Sequence, residues 1–131
     1  MLKASLLSHG YTVVIKATTM EKKHNLQQEI RNYKRLRALQ GLHIPVCVGD
    51  FKLRVPYVYW GELMAHMMIL SWSGIRVQSL MEKEQARLAK VLCLHRVVHQ
   101  DNEKRNVLWN ESAHHAIMID FEQVSWLPKP K

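Results

Sequence analysis

His99-Gln100-Asp101-Asn102-Glu103-Lys104-Arg105-Asn106 sets a histidine, a carboxylate and a carboxamide at the spacing H-x-D-x-x-x-x-N. Thirteen residues on, a short apolar stretch ends in Ile119-Asp120-Phe121-Glu122. Phosphoryl transfer needs such groups: a carboxylate beside the acceptor hydroxyl, and oxygen ligands for the ions that neutralise the phosphates. Asp101 suits the base. Asn106 and Asp120 suit Mg²⁺, a hard ion that prefers oxygen to sulfur or imidazole. Upstream, Val13-Val14-Ile15-Lys16 ends an apolar strand on a cation that could reach the phosphates of a nucleotide. Glu29 lies on the helical stretch that follows and could hold Lys16 as an ion pair.

The elements that must position these residues are legible from periodicity. Leu6-Leu7 and Tyr11 to Thr18 predict two strands around a Ser8-His9-Gly10 turn. Thr18 and Glu21 have capping-box spacing. Leu26, Ile30, Tyr33, Leu36 and Leu39 then recur at helical period, and Gly41 is a natural stop. Strands are predicted in Ile44 to Gly49, Val58 to Trp60 and Leu63 to Trp72, the last as a strand buried on both faces. Ser71 to Gly74 is a connector. Glu82 to Val97 predicts a second helix, with Ala86, Ala89 and Leu92 aligned and Leu88, Val91 and His95 alongside. Val107 to Trp109 and Ala116 to Ile119 predict two short strands, and the tail from Trp126 is irregular. The order β-β-α-β-β-α-β-β is an α+β pattern.

Composition bounds the rest. The chain has 131 residues, enough for one domain, with 47% hydrophobic and 23% charged residues, as in an ordinary globular protein. The net charge of +8 is spread from Lys3 to Lys131 and predicts a mildly basic surface. It supports no specific nucleic-acid binding, since no basic strand carries interleaved aromatics. Cys47 and Cys93 lie in apolar surroundings and are expected as buried free thiols. The histidines and cysteines match no zinc spacing, so His95 is expected to pack and His99 to be structural. Met67, Met68, Trp60, Trp72 and Trp109 are expected in the core. The apolar run at the N-terminus is too short for a secretory signal, and Leu63 to Trp72 is interrupted by His66 and too short for a membrane span. The expectation is an intracellular, cytoplasmic protein with no membrane association.

In the order Lys16, Glu29, H-x-D-x4-N and D-F, the chain resembles the protein-kinase-like superfamily, in particular divergent fungal members near the aminoglycoside and choline phosphotransferase branch. The resemblance runs through Ser8 to Val14, Tyr33 to Gly41, His43 to Gly49, His66 to Gly74, Asn106 to Asn110 and Ile119 to Glu122. It implies a reduced, truncated kinase-like domain, with residues 1–73 as the small lobe and hinge and 74–131 as part of the large lobe. It implies ATP and Mg²⁺ as ligands and a protein or small-molecule hydroxyl as acceptor. Lys16 and Glu29 would orient phosphates, Asp101 would accept the hydroxyl proton, and Asn106 and Asp120 would hold the metal. Leu70, Ser71, Trp72 and Ser73 would contact adenine through backbone groups. The chain departs from that pattern in three places. No glycine-rich loop precedes Lys16, Glu103 stands where relatives carry a cation, and nine residues follow Glu122. The alternative is therefore a catalytically inactive fragment that acts as a binding module.

Overall fold

The computed structural model describes residues 2–6, 11–77 and 82–129; the predicted Ser8-His9-Gly10 turn and the end of the tail lie outside them. The chain is α+β, with antiparallel sheets and two α-helices among the described residues. The main sheet has strands β1 (Leu2–Leu6), β2 (Tyr11–Thr18), β3 (Cys47–Tyr59) and β4 (Glu62–Ser71), in the order β1-β2-β4-β3. Helix α1 (Lys23–Arg35) covers one face. β4 is central, and Met64 to Met68 and Leu70 are buried, as its apolar run predicts.

Register decides which side chains meet the helix. Lys16 lies opposite Met68 and Val14 opposite Leu70. Directly opposed residues share a face of the sheet, so Lys16 and Val14 stand on the face of two core residues. The α1 stripe is buried as its period predicts, and a 3₁₀ turn (Arg37–Leu39) carries Leu39 inward after the helix ends. Gly41 follows at φ +82°. The Thr18–Glu21 box does not form: the residue before α1 is Lys22, which makes no side-chain cap.

β3 joins two segments that sequence separates. Pro56 has no N–H for a ladder, but β3 is an edge that pairs only with β4, so the proline is tolerated there. The register slips between Lys52 and Tyr57, where five steps along β3 oppose two along β4 (His66 to Met64). Val55 and Val58 of β3 are exposed, and Trp60, expected in the core, stands in the turn between β3 and β4 at φ +51° and is 87% exposed.

After the connector, β5 (Ile75–Arg76) pairs with β7 (Val107–Asn110), which forms a hairpin with β8 (His115–Met118). Helix α2 (Glu82–Leu94) ends three residues before the predicted Val97, because Arg96 turns left-handed at φ +63° and starts β6 (Val97–His99). Its buried residues are Leu88 and Leu92, a narrower face than predicted. Ala86, Ala89, Cys93 and His95 are exposed, so the expectations of a packed His95 and a buried Cys93 are corrected; Cys47 is half-buried. Of the tail expected to be irregular, Trp126 instead closes β9 (Val124–Trp126), which pairs with β6, and 127–129 are irregular as expected. A single core cluster runs from Leu26 and Tyr33 of α1 through Met68 and Leu70 to Leu88, Val107 and Phe121. No helix of the described residues is long and apolar enough to cross a membrane.

Gly74 controls how β5 enters its sheet. It sits at φ +146°, and an added Cβ would lie 2.2 Å from the Trp109 carbonyl oxygen. At Gly61 (φ +75°) a Cβ would meet nothing within 4 Å. Gly61→Ala should therefore cost only backbone strain, about 1–3 kcal/mol, and Gly74→Ala distinctly more. Urea unfolding of both variants measures the difference; equal losses would contradict the close approach at Gly74.

Candidate functional site

The site forms where β2, α1 and the segment after β8 converge. Lys16 Nζ lies 2.7 Å from Glu29 Oε1 and 3.4 Å from Asp120 Oδ1. Glu29 is 1% exposed. Its other carboxylate oxygen accepts the Phe121 N–H at 3.3 Å. One turn further along α1, Asn32 donates to the Phe121 carbonyl at 2.6 Å and accepts the Trp126 indole N–H at 3.2 Å. Both backbone groups of Phe121 are thus held by one helix face. The Phe121 ring is buried edge-on to Tyr33 and His99, with centroids 5.3 and 5.0 Å away. Asp120 adopts φ +66°, a left-handed conformation that aspartate tolerates better than most residues. The reversal sends Phe121 into the core while the Asp120 carboxylate turns back toward Lys16.

His99 is structural, as expected. It accepts the Asp101 N–H at Nδ1 (3.0 Å) and its Nε2 lies 3.0 Å from the Ile119 carbonyl, to which it donates. The Asp101 segment is thereby fastened to the Asp120 segment. Asn106, 4% exposed, gives its amide to the Asp101 carbonyl (2.8 Å) and to Asp101 Oδ2 (3.0 Å). It stands behind Asp101 as a brace.

Three cavities surround this centre. One of about 190 Å³ is lined by Val14, Pro45, Leu70 to Gly74, Arg76, Leu108 and Ile119, together with Glu29 and Asp120. The second, about 240 Å³, is lined by Asp101, Arg105, Asp120, Glu122 and Gln123. The third, about 190 Å³, lies between β2 and the start of α1 and is lined by Lys16, Lys22, Asn25, Glu29 and Glu122 among others. Each pair of cavities shares one acidic residue: Asp120, Glu122 or Glu29. Carboxylate oxygens of these three residues all lie within 4.8 Å of one another. The trio is not a ready-made cage for an ion, because Glu29 is already committed to Lys16 and Phe121.

Electrostatics follows from that crowding. Burial raises the Glu29 carboxyl, and the attraction of Lys16 does not fully offset it because Asp120 adds repulsion. Burial works against the charge on Lys16, yet Glu29, Asp120 and Glu122 together outweigh it and raise the ammonium. The three carboxylates around Lys16 account for the rise of its ammonium, whereas burial is the chief cause of the rise at Glu29.

The structure brings Lys16, Glu29 and Asp120 into contact and sets Asp101 and Asp120 on one cleft. It also places Leu70 to Ser73 on the first cavity. Some backbone groups of that connector are already engaged. The Ser71 N–H donates to Val46, the Trp72 N–H to Thr12, and the Ser73 carbonyl accepts from Asn110 Nδ2 at 3.0 Å. Sequence reasoning did not assign roles to Asn32 or Glu122. Arg105 pairs with Asp101 across a turn and a 3₁₀ segment rather than along an α-helix, so their four-residue spacing carried no signal of the pair.

The chain matches no family model. It is 34% identical over 135 residues to a protein named Meiotic driver SPOK2 from Podospora anserina. The alignment takes in 100% of this chain, which spans 17% of that relative's length. The expected membership of the protein-kinase-like superfamily is therefore corrected: the relative bears the name of a meiotic driver, and short motifs such as H-x-D-x4-N and D-F do not carry a family assignment against that finding. The chemistry of the site rests on its own geometry.

The raised Glu29 carboxyl makes a pH prediction. A folded-state pKa above the unfolded value of 4.5 means that the folded chain holds this proton longer. The resulting stabilisation is complete below pH 4.5 and is lost as pH rises through the folded value. The stability difference between wild type and Glu29→Gln should thus shift against the wild type across that window. Denaturant unfolding from pH 4 upward checks it, and a difference moving the opposite way would show that Lys16 dominates.

Proposed function

We propose that the chain binds ATP with Mg²⁺ across these cavities and transfers the terminal phosphoryl group to a hydroxyl of a protein or small molecule. The observation that carries the proposal is the convergence of three cavities on Lys16, Glu29 and Asp120. The first cavity has apolar walls, Val14, Leu70 and Leu108, suited to a flat base. A base lodged there would direct its phosphates past Asp120 into the second cavity, which shares that residue.

Charge supports the metal. One lysine against three carboxylates leaves a local excess of about two negative charges, and the donors are hard oxygens of the kind Mg²⁺ prefers. Asp120, whose side chain is partly exposed, is the residue that would hold the ion, with Asn106 bracing Asp101 behind it. A bound Mg²⁺ supplies neutralisation of phosphate charge. Lys16, held by Glu29, would face the phosphates as a fixed cation. In the transfer, Asp101 takes the acceptor's hydroxyl proton, the freed oxygen bonds to the terminal phosphorus, and the bond to the departing ADP oxygen breaks. The relative's name leads us to propose that this step serves a protein of the meiotic-driver kind.

A second reading, nucleotide binding without transfer, is favoured by one specific contact. Arg105 Nη2 lies 2.6 and 2.5 Å from the two Asp101 carboxylate oxygens. A carboxylate so paired must shed its partner before it serves a hydroxyl.

Calorimetry with Mg·ATP should detect binding by wild type and a loss of at least tenfold in Asp120→Ala, the scale of one or more charge-assisted contacts. A folded wild-type chain that binds no nucleotide would rule out both readings. Labelled phosphate transfer that is above background in wild type and absent in Asp101→Asn selects the first; equal background in both selects the second.

A further inference from the structure

The second cavity holds an imbalance that the proposed nucleotide site leaves unexplained. Asp101, Asp120 and Glu122 line it with Gln123, and Arg105 is its one basic side chain among the described residues. A triphosphate reaching past Asp120 would enter a space walled by three carboxylates, which repel it. Besides the ion proposed at Asp120, a side-chain cation would offset the remaining carboxylates around the terminal phosphate. Lys16 does not line this cavity and already sits between Glu29 and Asp120. Lys104, the neighbouring cation, does not line the cavity.

Arg105 is built to move. It belongs to a short 3₁₀ turn (Lys104–Asn106), and its side chain is 60% exposed, so little packing holds the guanidinium. Its contact with Asp101 uses a single nitrogen, Nη2, across both carboxylate oxygens. The other guanidinium N–H groups make no hydrogen bond among the described residues. Arg105 therefore keeps donors in the planar geometry that phosphate oxygens accept. Asp101, by contrast, is fixed from behind by Asn106 and His99. If the pair parts, the arginine is the member that travels.

We infer that Arg105 binds the terminal phosphate of the nucleotide and that its resting pair with Asp101 is exchanged for that phosphate when the nucleotide enters. The inference rests on the nucleotide-binding reading and adds a mechanism to it. The arriving triphosphate offers Arg105 a more highly charged partner, so binding releases the Asp101 carboxylate toward the acceptor. The base is masked while the site is empty of substrate and unmasked by the substrate itself.

Competition between Asp101 and phosphate for one arginine gives a signature that a merely structural residue lacks. The test is calorimetric binding of Mg·ATP and Mg·ADP to wild type, Arg105→Gln, Asp101→Asn and the double variant. Arg105→Gln should weaken ATP about tenfold, the scale of a lost charge-assisted hydrogen bond, while ADP changes by less than about twofold. Asp101→Asn should tighten ATP, because Arg105 no longer has to leave a carboxylate, and this gain should vanish in the double variant. Arg105→Lys, which keeps the charge without the planar fork, should bind ATP between wild type and Arg105→Gln. The inference is overturned if Arg105→Gln weakens ATP and ADP alike or neither, or if the gain from Asp101→Asn persists without Arg105. It is overturned together with the nucleotide reading if folded wild type binds neither nucleotide. Wild-type binding of both nucleotides with no difference among the variants overturns the Arg105 role alone.

Discussion

A carboxylate buried to the extent of Glu29 must find partners, and the partners it finds organise the molecule. A charge taken out of water costs several kcal/mol unless it is paired and hydrogen-bonded. Glu29 meets that demand with Lys16 from the main sheet on one oxygen and the Phe121 N–H on the other. Sheet, helix and the segment after β8 are therefore tied at one point. Removing one partner of such a pair strands the other charge, at a typical cost of about 3–5 kcal/mol. Asn32 extends the clasp by taking the Phe121 carbonyl and the Trp126 indole, and the Arg35 guanidinium lies 3.7 Å over the Trp126 ring. One face of α1 thus fixes both the turn at Asp120 and the last strand.

That clasp makes the site possible and also sets its character. Asp120 is held left-handed between a buried Phe121 and the Lys16 ion pair, so its carboxylate has little freedom of direction. His99 performs the same service for Asp101 by joining the two loops through Ile119. The outcome is an acidic centre with one well-held cation, beside the more exposed Arg105 paired with Asp101. Rigid groups aimed in advance at a ligand reduce the ordering cost of binding.

Legibility from sequence varied with the kind of interaction. The stripe Leu26, Ile30, Tyr33, Leu36 and Leu39 was readable because helical period needs no knowledge of the partner surface. The β4 run was readable because a central strand buries nearly every residue. Lys16 and Glu29 were readable as a candidate pair, since each sits on an element whose buried face could be inferred. Trp60 was misread because hydrophobicity does not reveal a chain reversal, and Trp60 stands in the turn between β3 and β4 at φ +51°. Ala86, Ala89, Cys93 and His95 were misread for a related reason. α2 packs through a narrow face, and small or amphipathic side chains beside it lie open to solvent. The pairing of β6 with β9 escaped notice because strands of three residues carry almost no periodic signal. Family membership was misjudged because a few short motifs, met in order, match more proteins than they identify.

By itself, the sequence determined the α+β class, the buried face of α1, the central strand and the set of groups available for chemistry: Lys16, Glu29, Asp101, Asn106 and Asp120. These follow from local periodicity and from the intrinsic chemistry of side chains, which do not depend on distant neighbours. Tertiary structure alone decided how those groups are used. It committed Glu29 to Lys16 and Phe121, set Asn106 behind Asp101, brought Glu122 beside Asp120 and laid Arg105 across the Asp101 carboxylate. The physical reason is that ion pairs and hydrogen bonds between distant segments depend on distances of a few ångströms. Those distances exist only after the core from Leu26 to Phe121 has closed.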